Sequence, residues 1–222
     1  MRKTIVQTVV KSKREIPHFY VQIEVDLSCI EKIRSHWNLD FGPQPSVNHF
    51  ILKAAALALI EVPEIRATFT PQGIIIPAGV DLGFAVAVEG GMLIPVIRRA
   101  DRLSLLELAA EARDLVRKTK EKKLFPYECE GGSFTVSNLG MLGVKSFAAI
   151  IPPGQGGILA VGAAELLPRW DGAQWQPRPF LTLTLSVDHR VVDGDRAAQF
   201  LQAVRAFLEQ DVSEAVFCLR DF

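Results

Sequence analysis

The sequence predicts a mixed α/β fold in one domain. Three observations carry that expectation. Short segments rich in β-branched and aromatic residues alternate with helical patterns along the whole chain. The 222 residues are 49% hydrophobic and 23% charged, enough to bury a full core. No internal repeat, low-complexity tail or interdomain linker interrupts the pattern, so residues 1–222 are read as one domain.

The elements follow in order. The opening "MRKTIVQTVVKSKREIPHFY" carries basic residues, but its apolar stretch is too broken for a secretory leader. "HFYVQIEVD", His18 to Asp26, alternates as a strand does. "LSCIEKIRSHW" reads as a short amphipathic helix. "SVNHFILKAAALALIEV" reads as a buried helix with Ser46 at its N-cap and Pro63 ending it. From Ile65 to Ile97 the pieces "IRATFT", "GIIIP", "VDLGFAVAV" and "MLIPVI", separated by glycines, predict a meandering sheet. Ser104 opens "SLLELAAEARDLVRKTKEKK", an amphipathic helix with glutamates early and lysines late, as the helix dipole favours. The strand "SFTVS", the loop "NLGMLG", the turn-rich "PPGQGG" and the strand "ILAVGA" come next. A loop around Asp171 and Gly172 leads to the strand "FLTLTL", and "DRAAQFLQAVRAFL" predicts the last helix.

Composition excludes several function classes. With 25 basic and 25 acidic residues the formal net charge is zero, so no footprint for nucleic acid or an anionic membrane exists. The longest apolar run, "AAALALI", falls far short of a membrane span. Cys29, Cys129 and Cys218 are odd in number and lack ligand spacing, which predicts reduced thiols and no structural zinc. The expected location is the cytoplasm, or the mitochondrial matrix if a transit peptide has been removed. There is no HExxH, no GxSxG elbow and no Walker or dinucleotide fingerprint; "GMLGVK" and "PPGQGG" read as tight turns. His18, His36 and His49 show no mutual ligand spacing and are read as surface or packing residues, and no metal is expected.

What remains is "SVDHRVVDG", Ser186 to Gly194, where a strand hands over to a helix. On an extended strand His189 and Asp193 would stand roughly 13 Å apart, too far for mutual support. In a turn or a helical start they come within about 6 Å, and Gly194 permits backbone conformations that other residues avoid. The residues alone leave two readings open: a base held ready for proton transfer, or a polar turn whose aspartates cap the helix. Ser137, read alone, is a strand-end serine that caps its own backbone.

Together with "SKREIPHFY", "VNHFILKAAALAL", "VDLGFAVAVEGGMLIPVIRRAD", "GGSFTVSNLGMLGVKSFAAIIPP" and "ILAVGA", the segment "LSVDHRVVDGDRAAQFL" resembles the catalytic domain of the dihydrolipoyl acyltransferases, the acyl-transferring core of 2-oxoacid dehydrogenase complexes. The resemblance implies a chloramphenicol acetyltransferase-like fold, a mixed sheet flanked by helices, and a homotrimer with active sites between subunits. It implies His189 as general base, Ser137 as hydrogen-bond donor to the tetrahedral oxyanion, Asp193 as the orienting carboxylate and Arg14 as the partner of Asp193. Coenzyme A is then a substrate, and the lipoyl group comes from a lipoyl domain, in trans or on domains outside this chain. The expected acyl group is acetyl, passed directly between thiols, and the other components of the complex are the expected partners. The chemistry is coherent: a thiol of pKa about 8.5 can yield its proton to an imidazole near 6.5 at a mismatch of roughly 2.7 kcal/mol. One aimed donor at the oxyanion is worth about 3 kcal/mol.

The sequence also departs from that family. Its lipoyl domains, swinging linkers and peripheral-subunit-binding domain are absent from residues 1–222, which implies an excised core or a stand-alone transferase. "IPPGQGG" stands where Asn-Pro-Pro is common, so Pro152 and Gly154 change a loop near the expected channel. His49 replaces a common acidic residue, Ile94 a small polar one and Arg99 an asparagine, which leaves acyl preference open. The end "EQDVSEAVFCLRDF" lacks the leucine-rich finish that joins family trimers into cages, although Val216, Phe217 and Leu219 offer apolar side chains. Two rival readings stand beside the first: a trimeric structural or assembly protein with little activity, and a coenzyme A-dependent acyltransferase with a non-lipoyl acceptor.

Overall fold

The structure, a computed structural model, describes residues 2–37 and 42–210, with the backbone alone for 2–5. Val216, Phe217 and Leu219 lie outside the described residues. The chain is organised around two long strands. β1 (His18–Asp26) pairs antiparallel along its whole length with β11 (Trp175–Asp188), from His18 opposite Asp188 to Asp26 opposite Phe180. Because side chains alternate along a strand, this register puts Phe19, Val21, Ile23 and Val25 on the same face as Leu181, Leu183, Leu185 and Val187, where they pack into the main core. Thr184, Ser186 and Asp188 go to the other face, where they are buried polar residues.

The sheet grows from this pair. β8 (Phe134–Asn138), β9 (Gly157–Val161), β4 (Leu82–Phe84) and β7 (Val96–Ile97) complete the order β1-β11-β9-β8-β4-β7. The pairs β4–β8 and β8–β9 are parallel, and the rest are antiparallel. α3 (Val47–Glu61) and α5 (Gly194–Glu209) pack on the core face, flanked by α2 (Ser28–Ser35) and α4 (Leu105–Lys120). Phe134 of β8 and Phe200 of α5 meet there with ring centroids 5.5 Å apart. This is the mixed sheet flanked by helices that the sequence predicts.

Three features differ from expectation. The region Ile65 to Ile97 is not one meandering sheet: β4 and β7 join the main sheet, while β2 (Thr68–Thr70) with β3 (Gly73–Ile75), and β5 (Val86–Val88) with β6 (Gly91–Leu93), form two separate hairpins. Gly73 and Gly90, with φ of 127° and 80°, turn each hairpin back on itself before it can extend the sheet. β10 (Glu165–Trp170) forms a hairpin arm with the first half of β11. The opening segment, read only as a failed leader, forms α1 (Arg2–Glu15). Its Ser12 hydroxyl donates to the Ile151 carbonyl at 2.5 Å, and Ile16 just beyond it joins Ile151 and Ile158 in a second apolar cluster. Among the described residues no helix is long and apolar enough to cross a membrane.

Helix starts follow the expected chemistry. At α4, Ser104 accepts from the Glu107 N–H while Glu107 Oε2 accepts from the Ser104 N–H at 2.9 Å, a capping box. At α3 His49 takes the glutamate's place, its Nδ1 accepting from the Ser46 N–H at 3.1 Å. Burial and the nearby Arg113 charge push the His49 pKa down to about 4. The unfolded chain therefore takes up a proton near pH 6.5 that the folded chain refuses until about pH 4, so stability falls as pH drops through that window. Allowing for solvent screening of the half-buried ring, His49 contributes about 1–2 kcal/mol of that loss. Thermal melts from pH 8 to pH 4.5 should show a shallower acid decline for His49→Gln than for the parent, since glutamine keeps a capping acceptor and does not titrate.

Candidate active site

β11 ends at Asp188, whose carboxylate is almost fully buried. A buried charge requires a partner, and Arg190 supplies one two residues on: its Nε donates to Oδ1 at 2.9 Å and its Nη2 to Oδ2 at 2.6 Å. The Arg190 guanidinium also covers the Phe69 ring at 4.5 Å. The N–H groups of Val191 and Val192 both donate to the Asp188 carbonyl at 3.0 Å, which closes the turn. With Asp188 turned inward, His189 faces outward and is exposed. Its N–H donates to the Pro17 carbonyl at 3.0 Å, and its ring lies against Phe19 with centroids 4.8 Å apart.

Asp193 occupies the N-cap of α5, but its carboxylate makes no capping bond. Instead its Oδ1 lies 3.8 Å from His189 Nδ1, with side-chain exposures of 85% and 45%. The turn thus brings the two groups within electrostatic reach and leaves His189 Nε2 accessible. Asp193 thus stands at the cap position without capping, its carboxylate facing the imidazole instead.

Ser137 lies elsewhere. On β8, Phe134 and Val136 face the main core, so Thr135 and Ser137 face the opposite side. There they line an apolar cavity of about 420 Å³ with Ile94, Phe147, Ile151 and Pro152 among its walls. Thr135 is held by its bond to Gln155 Oε1 at 2.7 Å. Among the described residues the Ser137 hydroxyl has no hydrogen-bond partner. The loop after it is pinned: Asn138 Oδ1 accepts from the Gly140 N–H at 2.8 Å, and Asn138 Nδ2 donates to Asn48. A Cβ on Gly162 would stand 1.9 Å from the Lys145 carbonyl oxygen, so only glycine lets the returning chain pass at that point.

The register separates the two candidate groups. Ser137 shares a row with Ala160 and Thr184, two strands across from β8, and His189 lies five residues beyond Thr184. Those steps put them roughly 15–20 Å apart within one chain. Nor does the structure bring Arg14 to Asp193. Ser12 and Ile16 face inward one turn apart, so Arg14 between them points to solvent; the arginine that meets an aspartate of the motif is Arg190, on Asp188. No motif or spacing rule marks this clamp or Thr135, although the first stands in "DHR" and the second two residues before Ser137 on one strand face. Among the described residues no cluster of three His, Cys, Asp or Glu side chains suits a metal ion.

Comparison with known proteins accords with this architecture. The chain is 41% identical over 213 residues to the dihydrolipoyllysine-residue acetyltransferase component of the pyruvate dehydrogenase complex of Rickettsia bellii, covering 94% of this chain and 51% of that protein. The chain thus spans about half the length of the curated relatives it matches. A probable dihydrolipoamide acetyltransferase of Listeria monocytogenes superposes with a TM-score of 0.91 at 34% identity, covering 96% of this chain and 93% of that one. The Azotobacter vinelandii dihydrolipoamide acetyltransferase does so with a TM-score of 0.88 at 35% identity, covering 93% and 87%. In that enzyme the catalytic roles of a serine, a histidine 52 positions later and an asparagine four positions after that have been investigated. Chloramphenicol acetyltransferase, at 16% identity and a TM-score of 0.61, shares the fold. Residues 1–216 match the family model of the 2-oxoacid dehydrogenases acyltransferase catalytic domain, and the chain belongs to that family.

Proposed function

We propose that this chain forms one catalytic domain that moves an acyl group, ordinarily acetyl, between the thiol of a dihydrolipoyl group and the thiol of coenzyme A, as the core of a 2-oxoacid dehydrogenase complex in the cytoplasm. The observation that carries the reading is spacing joined to geometry. Ser137 and His189 stand 52 positions apart and Asp193 four beyond, the intervals of the groups investigated in the Azotobacter vinelandii enzyme, with aspartate in place of its asparagine. One group heads an apolar cavity and the other presents a free imidazole nitrogen at a strand end.

The chemistry follows from the groups present. His189 Nε2 takes the proton of the coenzyme A thiol, and the thiolate sulfur attacks the thioester carbonyl carbon of the acyl-dihydrolipoyl group. A carbon–sulfur bond forms and the carbonyl π pair moves to oxygen, where the Ser137 hydroxyl donates to it. Collapse breaks the bond to the dihydrolipoyl sulfur, which recovers the proton from His189. Asp193 keeps Nδ1 oriented and steadies the imidazolium in between. Since a separation of roughly 15–20 Å forbids one chain's Ser137 and His189 from meeting one thioester, each site takes its histidine from one copy and its serine from the next, and the homotrimer that the family resemblance implies supplies that pairing. The dihydrolipoyl group arrives on a lipoyl domain.

Two measurements test the reading. Transfer from acetyl-CoA to dihydrolipoamide should fall by about 10²–10⁴ in His189→Ala and by about 10²–10³ in Ser137→Ala, with the melting temperature nearly unchanged for His189→Ala, whose side chain is 45% exposed. A loss below tenfold in His189→Ala would remove it as the base. A panel of acyl-CoAs should show acetyl-CoA used at least about 100-fold better than succinyl-CoA, because the described cavity lining holds no charged side chain to receive a buried carboxylate.

A further inference from the structure

Ile16 and Pro17 join α1 to β1, which opens with His18 and Phe19, and each of these four residues touches one half of the site. Pro17 accepts the His189 N–H, and Phe19 backs the His189 ring. Ile16 packs with Ile151 and Ile158 at the cavity wall. His18 binds that wall directly: its Nε2 accepts from the Ile151 N–H at 3.1 Å, across 133 positions of sequence. A backbone N–H can only donate, so Nε2 is unprotonated. The ring's proton therefore sits on Nδ1, which donates to the Ile16 carbonyl at 2.8 Å.

The same wall is held from two other sides. Ser12 of α1 donates to the Ile151 carbonyl at 2.5 Å, and Ser186 of β11 donates to the Ala149 carbonyl at 2.8 Å. Ile150, Ile151, Pro152 and Pro153 thus belong to a strip of cavity lining tied at Ala149 and Ile151 by side chains from α1, β1 and β11. The charged and titratable groups around His18 are Lys13, which bonds the Tyr20 hydroxyl, Tyr20 itself, and Asp188, which Arg190 already occupies. Burial, assisted by the Lys13 charge, holds His18 below the usual imidazole pKa and so favours the neutral ring that the two bonds demand.

We propose that His18 is a positioning residue for acyl transfer: in its neutral Nδ1–H tautomer it latches the Ile150–Pro153 wall of the cavity to the strand end that holds His189. The proposal rests on the reading of the cavity as the acyl-transfer site. Losing the latch loosens a surface that grips substrate equally before and during reaction, so the effect falls on KM. The bond from His189 to Pro17 runs between main-chain atoms and survives any change of side chain at 18.

The test compares His18→Phe with His18→Gln in the full chain. Glutamine places a carbonyl oxygen near the position of Nε2 and can accept from Ile151; phenylalanine cannot. His18→Phe should raise KM for the acyl-CoA about tenfold with kcat within threefold of the parent, and His18→Gln should return KM to within threefold. Hydrogen exchange of the segment 147–154, followed by mass spectrometry, gives a readout that needs no activity: protection is lost in His18→Phe and kept in His18→Gln. If the phenylalanine variant does not fold, His18→Asn, which is too short to reach Ile151, takes its place. Equal KM in all variants, a loss confined to kcat, or unchanged exchange at 147–154 would overturn the latch. Absence of acyl transfer in the parent chain would instead refute the function proposed above, and exchange alone would then decide the latch.

Discussion

Asp188 sits at the end of β11 with its carboxylate sealed from water, and Arg190 grips both oxygens. Removing the arginine would strand a buried charge, which costs roughly 3–5 kcal/mol. To make the grip the chain must turn back within two residues, and that turn fixes the geometry at this end of the sheet. It ends the strand, throws the intervening His189 outward, and sets the start of α5 at Gly194 so that Asp193 faces the imidazole. The antiparallel register with β1 completes the arrangement, because His18 opposite Asp188 brings Pro17 and Phe19 against the histidine.

The sheet between these groups acts as a partition. One face is given to helices and a continuous apolar core, the other to Thr135, Ser137, Thr184 and Ser186. A serine on β8 and a histidine beyond the end of β11, two strands away, occupy distant corners of one subunit. Such a layout makes little sense for a site closed within one chain. It suits a site assembled across a rotation axis, where the strand end of one copy meets the sheet face of the next.

The sequence is most legible where local pattern and tertiary role agree. β1 alternates strictly because one face is core, and its bounds are those expected, His18 to Asp26. α4 carries its own capping box and is equally plain. α1 escapes a sequence reading because its apolar residues Val6, Val9 and Val10 remain exposed and leave no inward stripe. β10 escapes it because neither face is apolar throughout, with Leu166 and Trp170 exposed and Leu167 sharing the half-buried face with Glu165 and Arg169, and because Pro168 weakens the strand signal. Ser137 and His189 stand out through their motifs. The work of His18 does not, because its partner Ile151 lies on a distant loop and no spacing rule connects them.

The assembled site can be tested by mixing two defective chains. Differently tagged His189→Ala and Ser137→Ala chains would be co-expressed, isolated through both tags as mixed oligomers, and assayed for acetyl transfer beside each variant alone. In a mixed trimer, one of the three interfaces pairs an intact histidine with an intact serine, so the account predicts recovery of about one third of parental activity. Activity no higher than that of the separate variants would contradict it and would place both groups of each site on a single chain.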